Sequence, residues 1–147
     1  MNEHPVLSAL RQQVDCYRLL AKLASLQHVH VQQCQTEQLL GVLASRQDVL
    51  EQLKLFEVSV APQRKRWAEF LDELPYPGRE AAEALLAETR HLLEEITTAD
   101  RNDALVLQQQ KLNLGRQINQ ASAARQVNKT YAASAYGARP ARMDLSR

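Results

Sequence analysis

Residues 39–74 read LLGVLASRQDVLEQLKLFEVSVAPQRKRWAEFLDEL. Within them Leu39, Val42, Arg46, Val49, Leu53, Phe56, Val60, Gln63, Trp67, Phe70 and Leu74 recur at alternating intervals of 3 and 4. That interval is the signature of one face of a helix packed in coiled-coil fashion. Leu40, Leu43, Leu50 and Leu71 flank the stripe, and Thr36 is a candidate N-cap for it. Pro62 lies inside the segment; it removes an amide donor and its ring meets the carbonyl of Val58, so a kink is expected there. The phase nevertheless survives into Trp67 and Phe70. The spacing therefore predicts one bent helix over about 37–74.

Upstream, Leu7, Leu10, Val14, Tyr17, Ala21, Ala24, His28 and Val31 make a second stripe at the same spacing, widened by Leu20 and Leu23. It predicts a helix over about 6–34, starting at either Pro5 or Ser8. No Gly or Pro marks the join near Gln35 and Thr36. A turn is expected there, because a single helix from 6 to 74 could not bury its own faces.

Downstream, Leu74-Pro75-Tyr76-Pro77-Gly78 is strong punctuation and reverses the chain. A third helix follows over about 79–129. Ala82, Leu85, Leu86, Thr89, Leu92, Leu93, Ile96 and Ala99 form its first stripe, and the polar run Asp100-Arg101-Asn102-Asp103 comes next. Beyond it lie Leu105, Val106, Leu107, Gln109, Leu112, Leu114, Ile118, Ala121 and Val127. So long a helix, about 70 Å, exceeds what two shorter helices cover. Either the chain folds back onto these later side chains, or they are held for another polypeptide and read through anchors at i, i+3, i+4 and i+7. Residues 132–147 have small and basic residues and no long apolar run, and are expected to be a flexible basic tail. Residues 1–131 are expected to form one all-α domain.

Composition agrees. The chain has 147 residues, with only 4 Gly and 5 Pro, too few for the many turns of a sandwich or barrel. Apolar residues make up 45% but aromatics only 5%, so the core is built of Leu, Val and Ala. A net charge of +1 gives no global field toward nucleic acid or an anionic membrane. No apolar run reaches a membrane span, and Met1-Asn2-Glu3-His4-Pro5 is not a signal peptide, so the expected location is cytosolic, without membrane insertion. Cys16 and Cys34 fall on one expected helix, about 27 Å apart, and read as free buried thiols.

Tests for chemistry come out negative. His28, His30 and Cys34 invite a metal, but His28 points about 200° away from His30 and no third ligand follows at motif spacing. Glu88-Thr89-Arg90-His91 is an E-x-x-H sequence, yet a carboxylate di-metal bundle needs a second one. There is no G-x-S-x-G, and Gly41, Gly78, Gly115 and Gly137 are too dispersed for a phosphate loop. Arg64-Lys65-Arg66-Trp67 is offset by Glu69, Asp72 and Glu73, which argues against nucleic acid. The expectation is therefore no enzyme, no catalytic residue, no metal and no cofactor.

Three features resemble a known family. Leu39-Leu40 followed by Arg46-Gln47-Asp48-Val49-Leu50-Glu51-Gln52-Leu53 is similar to a leucine pair, a basic residue, then leucines with glutamates. Asp100-Arg101-Asn102-Asp103-Ala104-Leu105 resembles an Asn-containing polar turn in a long last helix. Thr130-Tyr131 with Tyr136-Gly137 looks like a short Tyr-x-x-Gly-type signature at its end. Together they resemble the FlgN-type flagellar export chaperones over nearly the whole chain. The resemblance implies a cytosolic, all-α chaperone of long antiparallel helices. Such a protein binds C-terminal helices of hook–filament junction proteins, prevents their premature assembly and delivers them to the flagellar export apparatus. Carried over, the client-binding residues are Leu112, Leu114, Ile118, Ala121, Val127 and Tyr131. The alternative is a non-enzymatic coiled-coil adaptor, or a structural bundle that forms homo-oligomers through its exposed helix faces.

Overall fold

A computed structural model describes residues 3–135. They form four helices and no strand: α1 (Pro5–Gln32), α2 (Thr36–Lys65), α3 (Trp67–Glu73) and α4 (Tyr76–Ala135). The chain divides into two units, Met1–Val106 and Leu107–Arg147, where one domain over 1–131 was expected.

In the first unit, cross-helix hydrogen bonds fix the directions. Gln13 to Glu57 and Arg46 to Gln27 set α1 and α2 antiparallel. Arg18 to Glu88 and Gln27 to Asp103 run the other way, so α1 and the first part of α4 are parallel. Arg46 to Asp100 joins α2 to α4. The result is an all-α hairpin to which the first part of α4 adds a third pass, antiparallel to α2 and parallel to α1.

Apart from His28 and Leu93, which are exposed, the stripes read from the sequence are the buried or half-buried faces. Leu7, Leu10 and Val14 of α1 pack with Val60 of α2, Phe70 of α3 and Leu74, and with Ala82 and Leu85 of α4. A second cluster joins Cys16 and Leu20 to Val49, Leu53 and Ile96. Each such aliphatic side chain contributes about 1.5–3 kcal/mol when fully buried. Tyr17, Ala21 and Phe56 bridge the two clusters.

The helix ends differ from the sequence reading. His4 caps α1: its Nδ1 accepts the Val6 amide at 3.1 Å, with Pro5 opening the helix. That makes Pro5 rather than Ser8 the start. The helix stops at Gln32, so Cys34 is in the turn, exposed, with φ of 55°. The expectation of two buried thiols on one helix therefore holds only for Cys16. The turn itself is a Schellman-type stop. The Gln35 amide bonds to the His30 carbonyl at 2.9 Å, and the Cys34 amide to that of Val31 at 3.2 Å. Gln35, not Thr36, is the N-cap of α2, and no side chain caps it.

Pro62 does not end or divide α2, which continues to Lys65. The break comes one turn later at Arg66 (φ −122°, ψ 47°), and the expected single helix over 37–74 is two. The Arg66 amide closes onto the Gln63 carbonyl, and the Phe70 amide onto that of Arg66, so both flanking turns remain hydrogen-bonded. The Arg66 guanidinium spans the break, donating to Gln63 at 2.9 Å, Glu69 at 3.0 Å and Glu73 at 2.5 Å.

Helix α4 starts at Tyr76, earlier than expected. Pro77 falls in its first turn, where a missing amide proton costs nothing. The helix also runs on to Ala135, so residues 132–135, expected in the tail, are helical. The rest of that tail lies outside the described residues.

Candidate functional site

The residues Leu112, Leu114, Ile118, Ala121, Val127 and Tyr131 all fall on α4 in the second unit, and all six are exposed. Ile118 is 58% and Tyr131 79% exposed. Val106, at the end of the first unit, is half-buried, while Gln109 is exposed. The chain does not fold back to bury this stretch among the described residues.

Helical geometry divides the six, which the sequence reading had grouped as one set. At about 100° per residue, Leu114, Ile118 and Ala121 fall within about 60° of each other. Leu112, Val127 and Tyr131 are centred roughly 150° away. One partner helix reaches one group or the other, not both. Leu107, 42% exposed, belongs with Leu114 and Ile118. This division follows from residue number alone; listing residues by apolarity hides it.

The polar run Asp100–Asp103 is helical, with no turn. Asp103 is 1% exposed. Its Oδ2 accepts from Gln27 Nε2 at 3.1 Å, and its Oδ1 lies 2.7 Å from His28 Nδ1. Arg46 donates to Gln27 Oε1 at 2.6 Å and grips Asp100 through two bonds of 2.7 and 2.8 Å. Those bonds to Asp100 push the Arg46 guanidinium above its already high ordinary value. Three helices thus meet in a polar layer whose donors and acceptors satisfy one another. Sequence reasoning missed it. Its signal was the phase of Asp100 and Asp103, which continue the intervals of Leu92 and Ile96.

The residues tested for chemistry are engaged elsewhere. His28 meets Asp103, and His30 Nδ1 lies 2.6 Å from Gln35 Oε1 across the α1–α2 turn. Glu88 accepts two bonds from Arg18, at 2.6 and 2.8 Å, which hold its carboxyl below the ordinary range. Arg64 pairs with Glu57, and Arg66 with Glu69 and Glu73. Among the described residues no group of His, Cys, Asp and Glu is placed to hold a metal ion. Nor is any helix there long and apolar enough to cross a membrane. Thr130 and Tyr131 of the Tyr-x-x-Gly-like feature are helical; Tyr136 and Gly137 lie outside the described residues.

Comparison with family models, curated proteins and solved structures finds no match to this chain.

Proposed function

We propose that this chain is a cytosolic, non-enzymatic chaperone of the FlgN type. It covers C-terminal helices of hook–filament junction proteins and delivers them to the flagellar export apparatus. The observation that carries the reading is that Leu112, Leu114, Ile118, Val127 and Tyr131, large apolar side chains on two faces of one helix, are all exposed. The motif resemblance at Leu39–Leu53, Asp100–Leu105 and Thr130–Gly137 supplies the flagellar context.

The work is physical. A client helix with a bare apolar stripe self-associates. Covering each large side chain yields about 1.5–3 kcal/mol, from which association and ordering costs are subtracted. Binding is then firm enough to mask the client and weak enough to reverse.

The test is capture of the full-length chain by immobilised C-terminal segments of junction proteins. Retention is expected, with loss when Leu114 and Ile118 are both changed to Gln. No retention of the parent chain overturns the flagellar reading. The competing reading, a coiled-coil adaptor or oligomerising bundle, draws on Leu40, Leu43 and Leu50, exposed along α2. It requires a mass that rises with concentration in the absence of any client.

A further inference from the structure

We infer that the α4 face carrying Leu107, Leu114, Ile118 and Ala121 takes an acidic amphipathic helix, its apolar stripe flanked by carboxylates. The inference rests on the helix-binding reading above but not on the flagellar identity of the client.

The first ground is continuity of phase. In the first unit, α4 buries Ala82, Leu85, Leu92, Ile96 and Asp103. That face continues in the sequence from Asp103 through Leu107, Gln110, Leu114, Ile118 and Ala121, at intervals of 4, 3, 4, 4 and 3. A helix-packing pattern is therefore written into a stretch whose large apolar side chains are exposed.

The second ground is charge. From Leu107 to Ala135 there are four cations, Lys111, Arg116, Arg125 and Lys129, and no Asp or Glu. At about 100° per residue, Lys111, Arg125 and Lys129 lie within or beside the Leu114–Ile118 face, whereas Arg116 lies on the far side. Charges in that flanking position select partners by sign. The contrast with the first unit is sharp: Met1–Val106 holds 11 Lys and Arg against 16 Asp and Glu.

The same facts disfavour other occupants. Pairing this stretch with its own copy would set cation against cation. An anionic bilayer prefers a helix with one apolar face and one polar face. Here Leu112 and Val127 put apolar side chains on the side opposite Leu114 and Ile118.

The experiment titrates the full-length chain with two synthetic peptides, each about four heptads long with Leu at a and d. One carries Glu at e and g, the other Lys. The Glu peptide is expected to bind about tenfold or more tightly than the Lys peptide, with a preference that shrinks as salt is added. Lys111→Glu with Arg125→Glu and Lys129→Glu is expected to invert that preference, and Leu114→Gln with Ile118→Gln to abolish binding of both. Arg116→Glu, on the far side of the helix, is expected to leave the preference unchanged.

Equal binding of the two peptides, or a preference that survives charge reversal, overturns the inference. So does self-association lost in the Leu114/Ile118 variant, which gives the face to a second copy. Displacement of the Glu peptide by phosphatidylglycerol vesicles overturns it in favour of a membrane. If the Glu peptide binds and junction-protein segments do not, the acidic-helix face stands and the flagellar reading falls. If those segments bind regardless of Lys111, Arg125 and Lys129, the reverse holds.

Discussion

Asp103 is the residue whose environment is least like its type. A carboxylate taken out of water is tolerated only when its oxygens are engaged, and here Gln27 and His28 engage both. Asp103→Ala strands the Gln27 amide beside the Arg46–Asp100 pair and leaves a small void. The expected loss is about 3 kcal/mol, read as a lower urea midpoint at unchanged slope. Cys34 makes the opposite case. It occupies the left-handed position of the α1–α2 turn, which glycine fills without steric cost. Cys34→Gly is expected to raise stability by about 0.5–1 kcal/mol in the same assay, the relief of strain exceeding the added freedom of the unfolded chain. Neither feature was legible from composition. Asp103 sits in a run of four polar residues that looks solvated until its helical phase is followed from Ile96. Cys34 sits one residue past the last turn of an apolar stripe that carries no glycine to mark its end.

At the scale of the elements, intervals between apolar residues proved a better guide than the residues expected to break them. Leu39 through Leu74 keep one phase, and that phase named the inward face correctly, including Arg46 with its side chain 15% exposed. It said nothing of the break at Arg66, because an inward stripe records which side faces the core, not whether the backbone is continuous. Pro62 drew attention to the wrong turn: it and Val58 both lie on the exposed side of α2, so the one missing helical bond falls on the solvent face and the helix tolerates the ring. Ion pairs within α2 and between α1 and α4 carry a pH dependence. Burial works to raise the Glu57 carboxyl, but bonds from Arg64 and Gln13 outweigh it and hold the group below its ordinary value of 4.5. The Arg18 bonds do the same for Glu88. A carboxyl whose folded-state value is depressed contributes fully above its unfolded value, and that contribution is lost as pH falls through the folded one. The melting temperature is therefore expected to drop below about pH 4.5, and Arg18→Gln to make that drop shallower, as followed by ellipticity across the acid range.

For the whole molecule, the division at Val106 separates two kinds of surface. Every buried side chain among the described residues lies at or before Asp103. A chain ending at Lys111 keeps them all, with further helix to hold the Asp103 carbonyl, and is expected to melt within about 5 °C of the full chain. It is expected to lose capture by junction-protein segments, since all six candidate side chains, from Leu112 to Tyr131, go with the deletion. How far the third helix would be covered could not be read from spacing, because the same intervals of 3 and 4 serve a face buried within the chain and one left open. The sole tryptophan has a practical consequence. Trp67 lies half-buried in the first unit, its ring centroid 5.4 Å from that of Phe70. Indole emission therefore watches the bundle alone, whereas peptide-bond absorption counts every turn of α4. Wherever the two units unfold at different temperatures, the optical traces will separate, and the fluorophore will stay silent on the half of the helix that we propose meets a partner.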